Sequence, residues 1–98
     1  EVADTALGLL LATVRELPQS ERYLRAGKWP QAAYPLSKGT LRDRTVGMVG
    51  MGAIGQAIAR RLDAMKVPVV YHSRRPAAGP CSSIRRVCPG SRFAVPRC

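Results

Sequence analysis

Thr45–Leu62 reads TVGMVGMGAIGQAIARRL, and this stretch decides the fold. Its opening, Thr45 to Gly50, is a short apolar run with β-branched residues, the composition of a buried parallel strand. From Ala53 to Met65 the period changes. Ile54, Ile58, Leu62 and Met65 recur on one face, while Arg60, Arg61 and Asp63 fall on the other, which predicts a helix. Val67 to Tyr71 is β-branched again, with Pro68 at its start, where a missing N–H does little harm. Strand, helix and strand in about thirty residues make a right-handed βαβ unit, so the chain is of the α/β class.

The turn between the first strand and the helix, Gly50-Met51-Gly52-Ala53-Ile54-Gly55, fits the pattern GxGxxG. The flanking strand, helix and second strand supply the context that a bare match lacks. Gly50 lets the chain turn out of the strand, Gly52 lets a pyrophosphate approach the backbone, and Gly55 lets the helix pack closely on the strand. The N–H groups of Gly52, Ala53 and Ile54 then point at phosphates, aided by the positive helix end. A glycine-rich turn without a ligand is the plain alternative. No Lys-Ser/Thr follows the glycines, which excludes a nucleotide-hydrolysing P-loop. The fold expected is therefore a partial Rossmann-type dinucleotide-binding fold.

The end of the second strand selects the dinucleotide. An NAD site places Asp or Glu there to hold the ribose hydroxyls. The residues present are Tyr71-His72-Ser73-Arg74-Arg75-Pro76, without a carboxylate. Two guanidinium groups and a hydroxyl suit a 2′-phosphate, which a carboxylate would repel. Ser73, Arg74 and Arg75 thus predict NADP over NAD, with Arg74 on the phosphate and Arg75 stacked on adenine. A solvated basic turn is the bland alternative. His72 belongs to the adenosine end, away from any hydride-transfer chemistry, and is not expected to be catalytic.

Outward from this unit, Val2, Ala6, Leu9, Leu10, Thr13, Val14 and Leu17 predict a helix from Val2 to Leu17, stopped by Pro18. A short helix from Gln19 to Ala26 follows, opened by Ser20 and closed by Gly27. Lys28 to Arg44 is punctuated by Pro30, Pro35 and Gly39 and predicts an irregular connection, in which Trp29 closes a core edge or anchors a partner. From about Ala77 onward Pro, Cys, Ser and Arg dominate without periodicity. The domain organisation expected is a partial NAD(P)-binding domain over residues 1–79 and an unstructured or aberrant tail over 80–98. With two strands, both sheet edges would lie unpaired and the chain would be marginally folded alone.

The 98 residues carry a net charge of +10. Residues 1–76 hold 12 basic and 6 acidic side chains, while residues 77–98 add four Arg and no acid. Such a balance favours polyanions, but no helix-turn-helix, zinc-finger or RNA-recognition pattern accompanies it, so a nucleic-acid partner is not expected. Cys81, Cys88 and Cys98 have no ligand-pair spacing, and no metal site is expected. Nothing at the start reads as a signal peptide, and no run reaches the roughly 18 apolar residues of a membrane span, so a cytoplasmic protein is expected.

The combination resembles a known family. Glu1 to Leu11 (EVADTALGLLL) is similar to the helix that enters the cofactor domain of D-isomer-specific 2-hydroxyacid dehydrogenases. Gly27-Lys28-Trp29 resembles the G-x-W that follows it, Thr45–Leu62 the nucleotide-binding signature, and His72-Ser73-Arg74-Arg75 the members that use NADP. The resemblance covers residues 1–79. It implies hydride transfer between NADP(H) and a small 2-oxo or 2-hydroxy acid such as glyoxylate or hydroxypyruvate, in a homodimer to whose interface the first helix contributes. It also implies that the Arg, acidic residue and His acting on the substrate lie beyond the second strand, so none of the residues here is expected to be catalytic. A catalytically inert truncated product is the alternative. After Gly79 the likeness stops, an abrupt change of the kind a shifted reading frame or a misjoined segment produces.

Overall fold

The computed structural model of the chain describes residues 1–35, 39–77 and 84–87. The elements are α1 (Val2–Val14), α2 (Leu17–Arg25), β1 (Val46–Val49), α3 (Ala53–Ala64), β2 (Val69–His72) and β3 (Ile84–Arg86). The three strands are parallel in the order β1-β2-β3. Val46 stands opposite Val69 and Val49 opposite His72, so both strands end at one edge of the sheet. This is the βαβ unit expected from Thr45–Leu62, extended by one strand, and the chain is α/β with part of a Rossmann-type sheet.

Leu62, Val67 and Val69 are fully buried, and Leu41, Met51, Ala59 and Tyr71 complete the core around them. Val67, Val69 and Tyr71 alternate along the chain and so share the sheet face that α3 covers. The opposite face is bare in β1: Gly47 is exposed and Val49 is 94% exposed. The apolar stripe of α3 is narrower than its spacing suggests. Ile58, Ala59 and Leu62 face the core, but Ile54 and Met65 are largely exposed. Ile54 belongs to the first turn, at the mouth of the strand ends, and Met65 is already the C-cap. On α1 the inward stripe is Ala3, Leu7, Leu10 and Val14, whereas Val2 and Leu9 are exposed. The face is thus rotated by about one residue from the periodicity reading, because α1 packs against α3 over small Ala3, where Arg61 Nε also meets Asp4 Oδ1 at 2.8 Å.

The first break also differs from expectation. α1 ends at Val14, Glu16 takes a left-handed conformation with φ 54, and Pro18 sits in the first turn of α2. Proline lacks an N–H that a first turn does not need, so it starts this helix rather than stopping the previous one. Ser20 lies inside α2, its hydroxyl donating to the Leu17 carbonyl at 2.9 Å, and is no cap. Gly27 does close α2, with φ 67 and its N–H on the Leu24 carbonyl. Trp29 is 54% exposed and closes no core edge.

β3 lies within the stretch expected to have no regular structure. Ile84 pairs with Val69 and Arg86 with Tyr71, and the Val87 N–H continues the ladder to the Tyr71 carbonyl at 2.8 Å. Three residues are too few to show a period, which is why composition alone hides them. One edge of β2 expected to be open is therefore paired. The rest of the expected tail, residues 80–83 and 88–98 with all three cysteines, lies outside the described residues.

The end of α3 sets the angle at which β2 begins. Lys66 adopts φ 58, its N–H donates to the Asp63 carbonyl at 2.8 Å, and the Val67 N–H reaches the Leu62 carbonyl at 2.9 Å. These two bonds form a Schellman closure, sealed by the buried contact partners Leu62 and Val67. A left-handed lysine carries a steric cost that glycine does not. Lys66→Gly is expected to stabilise the chain by about 1 kcal/mol, raising Tm by roughly 4–8 °C in a thermal melt.

Candidate functional site

A cleft of about 890 Å³ opens where β1 and β2 end. Its walls come from two segments: Val49 to Gly52 with Gln56, and His72 to Ala77. Parallel strands place their C-terminal ends together, and the crevice outside those ends is where open α/β sheets bind ligands. The glycine turn and the basic turn, 20 residues apart in sequence from Gly52 to His72, thus face one cleft. Among the described residues no Asp or Glu lines it.

The glycine turn is shaped by two constraints. Gly50 has φ +93, a conformation that side chains disfavour, and its N–H donates to the His72 carbonyl at 2.8 Å, tying the turn to β2. A Cβ at Gly55 would stand 2.5 Å from the Gly50 carbonyl oxygen, so α3 approaches the strand end as closely as only glycine allows. At Gly52 a Cβ would meet nothing within 4 Å. Packing does not require glycine at this position, and the space above it adjoins the cleft. Gly52 is the N-cap of α3 without any side-chain cap, and the Ala53, Ile54 and Gly55 N–H groups have no acceptor among the described residues. Met51 is buried, and its carbonyl accepts from Gln56 Nε2 at 3.3 Å. The turn thereby presents unpaired N–H groups, a positive helix end and an uncovered backbone, the features that fit a dinucleotide pyrophosphate.

The basic turn is built differently. Arg74 and Arg75 are exposed and have no ion pair among the described residues. The Ser73 hydroxyl donates to the Arg75 carbonyl, so it closes its own turn; to donate to a phosphate it must release that carbonyl. The Ala77 N–H donates to the Tyr71 hydroxyl at 3.2 Å, anchoring the far end of the turn to a core side chain. His72 is exposed beside the turn, with Nδ1 3.4 Å from the Val87 carbonyl. Of the expected residues, the cleft brings together Gly50, Met51, Gly52, Ser73, Arg74 and Arg75, while Ala53, Ile54 and Gly55 form the first turn of α3 behind its rim. Gln56 and Arg86 went unnoticed in the sequence. Gln56 could have been found as the polar residue one helical turn after Gly52. Arg86 carried no local signal.

Among the described residues no cluster of three His, Cys, Asp or Glu side chains could hold a metal ion. Nor is any described helix long and apolar enough to cross a membrane.

Comparison with known proteins agrees with this geometry. Residues 7–87 match the D-isomer specific 2-hydroxyacid dehydrogenase, NAD binding domain. The chain is 45% identical over 74 residues to glyoxylate/hydroxypyruvate reductase A HPR2 of Arabidopsis thaliana, covering 76% of this chain and 23% of that protein. It is 44% identical over 71 residues to the 2-ketogluconate reductase of Gluconobacter oxydans, again covering 23% of the relative. Among solved structures, an NADPH-dependent glyoxylate/hydroxypyruvate reductase from Sinorhizobium meliloti aligns with a TM-score of 0.76 and 54% identity, over 86% of this chain and 27% of the other. The same enzyme in complex with NADP and malonate aligns with a TM-score of 0.75 over 93% of this chain and 33% of the other. The chain spans about a quarter of the length of these curated relatives. It belongs to the D-isomer specific 2-hydroxyacid dehydrogenase family, and the part of the family it carries is the NAD binding domain.

Proposed function

We propose that this chain is the NADP(H)-binding portion of a reductase acting on glyoxylate or hydroxypyruvate. The observation that carries the reading is the cleft itself, in which an uncovered glycine turn faces a carboxylate-free turn bearing Arg74 and Arg75. The first-turn N–H groups of α3 would hold the pyrophosphate and Arg74 the 2′-phosphate of the adenosine ribose, with Arg75 beside it bonding that phosphate rather than stacking on adenine as expected from the sequence. When bound, the cofactor supplies a hydride to a 2-oxo acid. The relatives named for glyoxylate and hydroxypyruvate reduction, one of them NADPH-dependent, support that substrate class. We assign no catalytic role to any described residue, and the dimer usual for the resemblance, with α1 at its interface, remains part of the proposal.

Fluorescence titration of the purified chain with NADPH and NADH in parallel tests this. Saturable binding that favours NADPH by about tenfold or more is expected, the worth of one charge-assisted hydrogen bond. Binding of neither would mark an inert fragment, and equal binding of both would remove the 2′-phosphate assignment.

A further inference from the structure

β3 brings one side chain to the basic turn that the rest of the site does not explain. Arg86 Nη2 donates to the Ser73 carbonyl at 3.0 Å, thirteen residues away in sequence. The Arg86 side chain is half-buried and has no ion pair among the described residues. Its backbone is fixed opposite Tyr71 in the ladder, and the next residue continues that ladder through the Tyr71 carbonyl. The turn is therefore held at three points: the Tyr71 hydroxyl at Ala77, the Ser73 hydroxyl at Arg75, and Arg86 at the Ser73 carbonyl. Two of these bonds start and end within residues 71–77. Beyond His72, whose carbonyl and ring already meet Gly50 and Val87, the third alone ties the turn to a different strand.

We propose that Arg86 is a positioning and specificity-determining residue for the 2′-phosphate subsite, holding the Ser73 carbonyl so that Arg74 and Arg75 project from a fixed backbone. This rests on the NADP(H) reading above and adds to it a group from the third strand. Two exposed arginines lose much conformational freedom when they bind an anion, and a backbone fixed beforehand reduces that loss. The guanidinium also adds a third positive charge beside the turn, with no carboxylate among the cleft-lining residues to offset it. Both effects act on a 2′-phosphate. Neither acts on the 2′-hydroxyl of NADH.

The experiment compares the whole chain with Arg86→Met and Arg86→Lys, titrating each with NADPH and NADH and following amide hydrogen exchange without cofactor. Arg86→Met is expected to weaken NADPH binding about five- to tenfold and to leave NADH within about twofold, whereas Arg86→Lys, keeping a charge and a donor, restores most of the loss. In the unliganded variant Arg86→Met, the Ala77 amide, which donates to the Tyr71 hydroxyl, is expected to exchange faster while the Leu62 amide does not change. Parallel losses of NADPH and NADH, or no loss, would show that Arg86 serves only the fold or nothing, and the proposal would fail. If the wild-type chain shows no NADPH preference, it is the cofactor reading that falls. The exchange measurement then still decides: an unchanged Ala77 amide overturns the positioning role, and a faster one supports it.

Discussion

Gly55→Ala is expected to cost the chain both its stability and its cofactor, whereas Gly52→Ala costs it the cofactor alone. At Gly55 the added methyl would lie 2.5 Å from the Gly50 carbonyl oxygen, well inside van der Waals contact. That oxygen belongs to backbone, and the Gly50 N–H is bound to the His72 carbonyl at 2.8 Å, so the strand end cannot easily retreat. α3 must move outward instead, which loosens Ala59 and Leu62 in the core and withdraws the first-turn N–H groups from the cleft. Overpacking of this kind costs about 1–3 kcal/mol, a large share of the stability of so small a domain. At Gly52 the backbone has φ −76 and the methyl meets nothing, so the unliganded fold tolerates it and even gains from a less flexible unfolded chain. The methyl would occupy the space a pyrophosphate needs. Thermal melts and NADPH titrations of the two variants check the pair. If Gly52→Ala binds NADPH as the wild type does, the glycine turn is only a turn.

This contrast also marks how far the sequence was legible. Gly50, Gly52 and Gly55 have one spacing but three reasons, and the pattern announced all three because each acts within a few residues of its own position. The βαβ unit was legible likewise, since Val67, Val69 and Tyr71 alternate and Ile58 and Leu62 are one helical turn apart. What escaped depended on contacts distant in the chain. The orientation of α1 is decided by where α3 lies, and hydrophobic residues on nearly every side of that helix left its inward face open. The left-handed Glu16 that separates α1 from α2 is a tertiary choice, sustained by Tyr34 donating to its carboxylate at 3.2 Å, and a proline two residues on masked it. β3 was hidden because its three residues gain their strand identity from β2, not from themselves. Arg86 was invisible for the same reason: its value lies in a carbonyl thirteen residues away.

Replacement of both Arg74 and Arg75 by alanine is expected to weaken NADPH binding about a hundredfold or more while changing NADH binding little, since each charge-assisted bond contributes about 1.5–3 kcal/mol. Both side chains are exposed and neither enters a hydrogen bond that holds the turn, because Ser73, Ala77 and Arg86 supply those. The fold is therefore expected to survive, and an unchanged melting temperature separates lost recognition from lost structure. Salt provides an independent check. A 2′-phosphate held by exposed arginines is attracted across solvent, and raising ionic strength from 0.01 M to 0.15 M shortens the Debye length from about 30 Å to about 8 Å. The NADPH preference of the wild type should shrink over that range, and the double variant, with two of its charges removed, should respond less. A preference that persists undiminished in the double variant would move the 2′-phosphate away from this turn, leaving Arg74 and Arg75 as a solvated basic corner of the sheet.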